Sequence, residues 1–407
     1  MLHSFKILKL ITLYPSNWLY NAGVIGFLRV LESCGENVNS FLRNDGIVEI
    51  DLSLFNKISI GNAEIPRFIK YLVDYLVDDE ELNEWKQKRE RGRTNEEKYE
   101  EFKNIFGGDF GYKFVRAGNK LFASQTPFQN LVQLSEWQSF EFINLISKIP
   151  EIVNSNDREI VCGICGNYIV KIFNPESKLE KRLSKLQITH LKELGPSLGK
   201  FPNAFWQLNS SLPLCLICVI LILCHRESLI SLSKDSKIFI NAPSFEIMWH
   251  INKYVQTIYG KEAKTVKEIL GMSLIELAIK LNLQFGRWTS MNIEVVSKYK
   301  DKIDFFFLPS EIIQLLSDRI IASLLYEIGE FKILNMILDG KFNEIIKFSE
   351  MIFRIALKPK KEWGEHEEEF IEENVKLEKN KENLILFSQR LFELYAMIEE
   401  KMNKKGG

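Results

Sequence analysis

The chain has 407 residues, of which 46% are hydrophobic and 26% are charged, and its formal net charge is −1. This length and apolar content predict a folded protein of two or three domains with a sizeable core. The balanced charge excludes binding to nucleic acid through an overall positive charge, so a nucleic-acid surface would have to come from local clusters of cations.

A helix is predicted near the N-terminus, over Asn17 to Leu31, with Ser16 as its cap. Three small residues, Ala22, Gly23 and Gly26, lie inside this helix. Glycine within a helix costs about 1 kcal/mol relative to alanine, so its presence indicates a compensating contact. We expect another backbone to pack closely there, and contact with a ligand is the less favoured alternative.

A mixed region follows this helix. Residues 46–52 and 57–60 predict two short strands separated by a turn, and Pro66 marks the start of another helix. Residues 78–103 are rich in charges of both signs and have few apolar anchors. Such a segment is typical of a solvated helical excursion or a mobile insertion.

Residues 106–122 differ from the charged segment before them. Four glycines and five aromatic residues surround Lys113, Arg116, Asn119 and Lys120, and only Asp109 carries a negative charge. The pattern predicts a β-hairpin with phenylalanines in the core and glycines in turns. The same residue types could also contact DNA, because cations neutralise phosphates and aromatic rings stack on bases or wedge between them. The two interpretations are compatible.

Two Cys-x-x-Cys pairs lie in the middle of the chain, Cys162 with Cys165 and Cys215 with Cys218. Four thiolates in two such pairs are typical of one structural Zn²⁺ site, because each pair can give two sulfurs to a tetrahedral ion. The second pair precedes an apolar run, so we expect its sulfurs to come from the start of an apolar element. The alternative is four buried cysteines that act as small hydrophobic residues.

The residues between the cysteine pairs are locally basic. Residues 158–200 contain eight lysines and arginines against four glutamates, and Lys181, Arg182 and Lys185 are grouped together. A zinc knuckle with a basic insertion is a common nucleic-acid surface, although a solvated face would show the same composition. We therefore interpret Lys181, Arg182 and Lys185 as candidate DNA contacts.

The pattern from about Phe245 to the end predicts helices throughout. Ser310 is expected to cap one helix that runs to Ile328, Gly340 to break the pattern, and residues 342–357 to form a helix that Pro359 ends. A last helix is predicted after a charged segment over residues 358–382. Together these helices predict a C-terminal bundle.

The sequence predicts a cytoplasmic protein. The first residues have no small-residue cleavage site, which argues against a signal peptide, and six cysteines without a disulfide pattern fit a reducing compartment. The most apolar run, residues 214–223, has ten residues, whereas about 20 are needed to span a bilayer. No membrane insertion is expected.

Common catalytic motifs are missing from the sequence. It contains no Walker-type loop, no Gly-x-Ser-x-Gly and no His-Glu-x-x-His, and its five histidines are scattered. Four cysteines saturate a zinc ion and leave no position for a reacting water, which argues against metal-assisted hydrolysis. His225, beside Cys224, is a less favoured replacement for one ligand.

The N-terminal sequence NWLYNAGVIGFLRVL, residues 17–31, precedes two Cys-x-x-Cys pairs and a helical C-terminal third. This combination resembles the large subunit of type I-B CRISPR interference complexes (Cascade), in the Cst-type branch. The N-terminal motif and the cysteine pairs span about the first 220 residues, whereas the C-terminal third matches only in being helical. No individual DNA-contacting position can be transferred from the family.

The resemblance implies a non-catalytic subunit, not an enzyme, that acts in antiviral defence. Such a subunit assembles with crRNA and the backbone subunits, reads the protospacer-adjacent motif on double-stranded DNA, helps open the duplex and helps recruit the helicase-nuclease. In such a complex the guide RNA reads the target sequence by base pairing. The resemblance also implies that a small subunit can be made from an internal start, for which Met291 is the candidate and Met272 the nearest alternative.

The sequence as a whole predicts an α+β fold. We expect a mixed N-terminal region over residues 1–157, a zinc-binding region with a basic insertion over 158–244, and a helical bundle over 245–407. Two other functions stay open: a free-standing zinc-stabilised protein that binds DNA or RNA without a guide, and a zinc-stabilised enzyme of unknown reaction.

Overall fold

A computed structural model describes residues 10–89, 96–122, 131–155, 160–187, 211–231, 236–258, 271–272, 275, 293–299, 302–375 and 381–403. The strands are β1 (Leu10–Leu13), β2 (Val48–Asp51), β3 (Lys57–Ile60), β4 (Ala63–Pro66), β5 (Lys185–Gln187), β6 (Ser211–Pro213), β7 (Ile230–Ser231), β8 (Ser236–Asn241), β9 (Ile293–Tyr299) and β10 (Lys302–Leu308). The mixture of helices and small antiparallel sheets confirms the predicted mixed class.

The α-helices begin with α1 (Trp18–Ser33), α2 (Arg67–Leu76), α3 (Asp79–Arg89), α4 (Glu96–Phe106), α5 (Gly108–Phe122), α6 (Leu134–Trp137), α7 (Phe140–Ile146), α8 (Ile149–Val153) and α9 (Lys178–Leu183). They continue with α10 (Leu216–Ser228), α11 (Phe245–Ile258), α12 (Ser310–Leu316), α13 (Arg319–Ile328), α14 (Phe331–Leu338), α15 (Phe342–Leu357), α16 (Glu365–Asn374) and α17 (Lys381–Asn403).

Helix α1 is the central helix of the core. The side chain of Asn17, one residue after the predicted cap, accepts a hydrogen bond from the backbone N–H of Tyr20 at 3.1 Å. Most of its residues are buried, and its small residues face α10. A Cβ atom added to Gly23 would lie 2.5 Å from the carbonyl oxygen of Leu221, and one added to Gly26 would lie 1.9 Å from that of Cys224. The predicted close packing of backbones is therefore confirmed.

The mixed region after α1 follows the prediction. Strand β1 pairs with β2 and β3 pairs with β4, both antiparallel. Pro66 directly precedes α2. The charged segment forms helices α3 and α4, with Leu82 and Phe102 buried, while residues 90–95 lie outside the described residues.

Residues 108–122 do not form the predicted hairpin. They form helix α5, which packs against α2 and α4. Phe110 and Phe114 are four apart in α5, so their rings share one side of this helix. Phe106 ends α4, and its ring centroid lies 4.8 Å from that of Phe114. The glycines fit this helix because neighbouring atoms approach it closely: a Cβ on Gly111 would lie 2.5 Å from the carbonyl oxygen of Phe102.

The prediction of helices from Phe245 to the end is wrong for residues 293–299 and 302–308. These residues form β9 and β10, in an antiparallel sheet with the order β10-β9-β8-β7. Pairing of β8 with β9 joins residues on both sides of the predicted boundary at 244/245. The side chain of Asn252 in α11 fixes this helix to the sheet by accepting from the N–H of Ile240 at 2.9 Å and donating to its carbonyl at 2.7 Å.

The chain is helical from Ser310 through most of the remaining described residues. The predicted helix from Ser310 to Ile328 is divided into α12 and α13, because Asp318 caps α13 by accepting from the N–H groups of Ile320 and Ile321. Gly340 adopts a φ of 68°, and α15 covers the predicted residues 342–357. Helix α17 packs against α13 and α15.

One hydrophobic core includes buried residues from all three predicted regions. Among the residues that the structure describes, none of the helices combines the length and the apolar character that crossing a bilayer requires.

Candidate metal centre

The first cysteine pair lies on a short loop closed by its own backbone. The N–H of Cys162 donates to the carbonyl of Tyr168 at 2.9 Å, and the N–H of Gly166 donates to the carbonyl of Cys162 at 2.9 Å. Gly166 has a φ of +63°, a backbone conformation that favours glycine. This turn places Cys162 and Cys165 on the same side of the loop.

The second pair lies at the start of α10, as predicted. Cys215 is the N-cap of this helix, and its sulfur accepts a hydrogen bond from the N–H of Cys218 at 3.4 Å. Free N–H groups and the helix dipole favour a thiolate at this position. The sequence after Cys215 is apolar, so α10 is buried and holds both sulfurs inside the protein.

Strand β6 joins the two pairs. It runs up to Pro213, whose carbonyl accepts from the N–H of Gly163 at 2.8 Å. A Cβ on Gly163 would lie 3.1 Å from the side chain of Leu212, so little space separates the cysteine loop from this strand. Pairing of β6 with β5 holds the approach to Cys215 against Lys185–Gln187 of the basic segment.

The four sulfurs have the separations of a tetrahedral ligand set. All four lie within 4.8 Å of one another, with 3.7 Å between Cys162 and Cys218 and 3.9 Å between Cys165 and Cys215. Four sulfurs about 2.3 Å from one ion in a tetrahedron would be about 3.8 Å apart. The cluster therefore fits one four-coordinate metal ion, such as zinc.

Burial makes this cluster unfavourable for four negative charges without a cation. Burial raises the pKa values of the Cys215 and Cys218 thiols, while hydrogen bonds from Cys165, Cys215 and Cys218 lower the pKa of Cys162. The pKa of Cys165 is lowered as well, so without a cation thiolate character is favoured in the first pair, while burial favours protonated thiols in the second pair. A divalent cation would instead stabilise all four thiolates.

Neither of the neighbouring candidates joins the ligand set. Cys224 and His225 lie further along α10, and the metal-binding group found among the described residues contains only the two cysteine pairs. The Nδ1 atom of His225 lies 2.7 Å from the carbonyl oxygen of Ile222. With four sulfurs, the ligand set is closed and has the form of a structural site.

The cysteine loop is also attached to the start of α1. The Tyr168 hydroxyl donates to the carbonyl of Thr12 at 3.0 Å and accepts from its N–H at 2.7 Å. The Ser16 hydroxyl donates to the carbonyl of Ile164 at 3.2 Å. Burial, followed by the charge of the Cys218 sulfur, raises the pKa of Tyr20 in α1. Helix α1 and the cluster thus form one structural unit.

The predicted DNA contacts on α5 are bound to acidic residues of the same chain. Lys113 forms ion pairs with Asp79 at 2.6 Å and Asp74 at 3.6 Å, and Arg116 pairs with Glu81 at 3.2 Å. Burial lowers the pKa of Lys113, but its two carboxylate partners outweigh burial and raise it.

Lys120 and Asn119 complete the α5 group. Lys120 pairs with Glu81 and donates to the carbonyl of Leu76 at 2.5 Å. Asn119 is half-buried. The cations on this helix therefore join α5 to α2 and α3, and any phosphate would have to compete with these partners.

The three basic residues between the cysteine pairs differ from one another. Arg182 forms an ion pair with Glu136 and donates from Nε to the carbonyl of Leu131 at 3.2 Å. Lys181 and Lys185 are exposed, and neither has an ion-pair partner among the described residues. Arg158 and residues 188–200 of the basic segment lie outside the described residues.

Sequence reasoning missed a cleft next to helix α9. It has a volume of about 500 Å³ and is lined by residues that include Lys148, Phe173 and Glu180. The sequence signal for this cleft was Phe173, an aromatic residue close to lysines and asparagines. The sequence does not show which helices surround its ring.

Comparison of the chain with protein-family models, curated proteins and solved structures finds no match.

Proposed function

We propose that this chain is the DNA-recognition large subunit of a crRNA-guided CRISPR effector complex, without catalytic activity of its own. One observation supports the proposal above others. The two sequence features that carry the resemblance are in direct contact, because α1 packs on α10 through Gly23 and Gly26, and α10 carries Cys215 and Cys218. A shared structural role explains why these features occur in one chain.

The four cysteines hold one structural zinc ion in this proposal, and the loop of Cys162 and Cys165 acts as a zinc knuckle. Sulfur donors at these separations suit zinc, and bound zinc would supply the charge that keeps four buried thiolates ionised. Helix α10 holds two of the sulfurs and the loop holds two, so the ion would fix the loop to the core.

Duplex DNA is engaged by the basic segment in this proposal, with Lys181 and Lys185 as phosphate contacts. Their exposure leaves both ammonium groups accessible to a phosphate. Arg182 acts by positioning, since its partners hold α9 against Glu136 and Leu131. A DNA contact by Lys113, Arg116, Asn119 or Lys120 stays a prediction, and it would require an exchange of the ion pairs on α5.

The partners of this subunit are crRNA, the backbone subunits of the complex, target duplex DNA and the helicase-nuclease. It would read the protospacer-adjacent motif on the duplex, help open it and work in the cytoplasm. The helices from Ser310 onward would form the bundle that corresponds to a small subunit.

The test is assembly followed by DNA binding. The chain is co-expressed with crRNA and backbone subunits, and binding of a matched duplex is measured at several salt concentrations. Lys181→Ala with Lys185→Ala should weaken binding for every motif alike and lower the salt slope by about 2, since each lost phosphate contact removes about 0.9. Lys360→Ala with Lys361→Ala removes two exposed cations elsewhere and serves as the control.

Two results would contradict the proposal. A chain that never assembles with crRNA and backbone subunits, yet binds DNA or RNA alone, would be a free-standing nucleic-acid-binding protein. If complexes assembled with and without this chain bind DNA with the same affinity and the same motif preference, the chain has no role in DNA recognition.

A further inference from the structure

The cleft beside α9 lies between that helix, helix α7 and the loop that precedes α9. Its lining includes the ring of Phe173, the amides of Asn144 and Asn174, and the carboxylates of Glu141 and Glu180. An aromatic ring beside several hydrogen-bonding groups is an arrangement that suits a planar polar ligand such as a nucleic-acid base.

Two cations lie next to the Phe173 ring. The Nζ atom of Lys148 is 5.7 Å from the ring centroid, and that of Lys171 is 5.6 Å away. Both distances are close to the limit of about 6 Å for a cation–π contact. Lys148 also forms an ion pair with Glu151 at 2.7 Å, so a phosphate that arrives with a base would have to exchange with this carboxylate.

The backbone of the loop that carries Phe173 is held by the carboxylate of Glu180, a residue that is 7% exposed. Its Oε2 atom accepts from the N–H of Phe173 at 2.5 Å and from the N–H of Asn174 at 3.0 Å. The Ser177 hydroxyl donates to Glu141 on the opposite wall. These bonds order the loop without any ligand, so a base would meet a loop whose backbone is already positioned.

The cleft is lined by carboxylates, amides and the ammonium group of Lys148. The carboxylates and amides can accept from or donate to the edge of a base, although the carboxylates would repel a phosphate. Lys148 and Lys171, beside the ring, are the cations that can contact a phosphate. These groups together fit one nucleotide.

The cleft adjoins the proposed DNA surface. Glu180 lines the cleft, while Lys178 and Lys181 of the same helix are exposed. A strand whose phosphates follow the exposed side of α9 would reach the cleft within a turn of the helix. Exposed cations and an aromatic ring along one path are the features of single-strand binding sites.

We propose that this cleft binds one unpaired nucleotide of a single nucleic-acid strand, with its base stacked on Phe173 and its phosphates contacted by Lys148 and Lys171. The inference rests on the proposed function and deepens it, because opening a duplex produces a single strand that must be held. The strand can be DNA or RNA, and the experiment distinguishes these two sources.

The experiment uses the purified full chain and 20-nucleotide strands with one 2-aminopurine, one of DNA and one of RNA. Binding should quench the 2-aminopurine fluorescence, because stacking on the ring changes its emission. Phe173→Leu should weaken binding about 5- to 150-fold, the range expected for one lost stacking contact, and remove the quenching. Phe173→Trp should retain both, since it keeps an aromatic face. The strand that shows these effects is the natural ligand type.

Two further variants separate stacking from charge. Lys148→Ala with Lys171→Ala should lower the salt slope by about 1.4, because each single-strand phosphate contact contributes about 0.7. Phe173→Leu should leave the slope unchanged. Tyr326→Leu removes an aromatic residue that is 69% exposed on α13, and it should have no effect.

Equal binding and quenching by the wild type and Phe173→Leu, or no quenching with either strand, would overturn the inference. Circular dichroism checks that Phe173→Leu folds. If this variant does not fold, the double variant Lys148→Ala with Lys171→Ala provides the test, and an unchanged salt slope would then overturn the inference. If the single-strand experiment fails while the assembled complex still recognises duplex DNA, only the assignment of the cleft as a nucleotide site is wrong. Loss of duplex recognition is detected separately by the Lys181 and Lys185 variants.

Discussion

Each of the four cysteines lies at a backbone position that holds its sulfur in place before any ion binds. Hydrogen bonds between Cys162, Gly166 and Tyr168 close the first loop, and the N-cap geometry of Cys215 directs the second pair. A site ordered in this way loses little further conformational entropy when a metal binds. The metal-binding free energy is then available to stabilise the fold.

We expect about one zinc ion per chain in the purified protein, measured by inductively coupled plasma mass spectrometry. Cys162→Ser should remove the zinc and lower the melting temperature, because it leaves three thiolates and an unfilled position in a buried site. Cys34→Ser is the matched control, since Cys34 is half-buried and outside the cluster. A well-folded protein without metal would show that the cluster is only a group of small hydrophobic residues.

Gly26→Ala should destabilise the protein by about 3 kcal/mol or more in urea unfolding. The added methyl group would lie 1.9 Å from the carbonyl oxygen of Cys224, so α1 and α10 would have to separate. Gly364→Ala is the control, because its Cβ meets open space and its φ of −78° suits any residue. Equal stability of the two variants would show that the contact between α1 and α10 is looser than described.

Residue spacing predicted that the four cysteines form one cluster, whereas the DNA contacts stay a prediction. Two Cys-x-x-Cys pairs specify four sulfurs around one point wherever the chain places them. Cations such as Lys113 and Arg116 carry no such constraint, and their partners Asp79 and Glu81 lie about 35 positions away in sequence. Sequence alone could not show that these charges are already paired.

At the scale of elements, helix α5 shows where local propensity fails. Glycines and aromatic residues favour a hairpin locally, yet the phenylalanines at 110 and 114 also have helical spacing. Packing decided the outcome, because Gly111 lies against α4, and a Cβ on Gly118 would lie 2.3 Å from the ring of Trp137. Glycine is required at these positions because other elements pack too closely for a side chain, and the sequence pattern does not identify those elements.

Strands β9 and β10 were missed for a related reason. Their apolar runs are short and β-branched or aromatic, but short runs do not distinguish strands from buried helices. Strand β9 also pairs with β8, which lies some 50 residues earlier in the chain. By contrast, α15 was predicted with its full extent, because helical periodicity, Gly340 and Pro359 all act within one segment.

Helices α15 and α17 are joined by two buried serines. The Ser349 hydroxyl donates to the carbonyl of Ser388 at 2.8 Å, and the Ser388 hydroxyl donates to that of Ser349 at 2.9 Å. Each hydroxyl therefore crosses to the other helix, and the pair fixes one register between the two helices.

Ser349→Val should lower the free energy of unfolding by about 1–3 kcal/mol, because it forces extra volume between these helices. Ser349→Ala should cost less than about 1 kcal/mol, since it adds no volume and Ser388 keeps its own hydrogen bond. Urea unfolding of both variants measures the difference. Equal effects would mean that the helices can separate without cost.

At the scale of the whole molecule, the three predicted regions are closely connected. The β8–β9 pairing crosses the boundary at 244/245, and the α1–α10 contact joins the first region to the second. The division into three domains stays a prediction, but these contacts indicate that the regions depend on each other for folding.

The predicted internal start at Met291 lies outside the described residues, but its consequence can be tested. A product of residues 291–407 would contain β9 and β10 without β8, so the edge of Ile293–Tyr299 would lack its partner. Open edges promote association, and we expect this fragment to self-associate when made alone. Residues 309–407, which omit both strands, should remain monomeric in size-exclusion chromatography with light scattering.

Mass spectrometry of the assembled complex tests whether the internal product exists. A C-terminal fragment that begins at Met291 is expected beside the full chain. Detection of only the full-length chain would show that the internal start is not used. A monomeric 291–407 fragment would contradict the prediction that the unpaired edge of Ile293–Tyr299 causes self-association.

The contact between α1 and α10 also constrains the order of events during synthesis. Helix α1 ends at Ser33, but α10, which covers its glycine face, ends at Ser228. At about 5–20 residues per second, a ribosome needs roughly 10 to 40 seconds between these points. Throughout that interval α1 is an apolar helix without its partner, and a chaperone that holds it would prevent aggregation. A metal ion that requires all four sulfurs could bind only after Cys215 and Cys218 of the same region have been made.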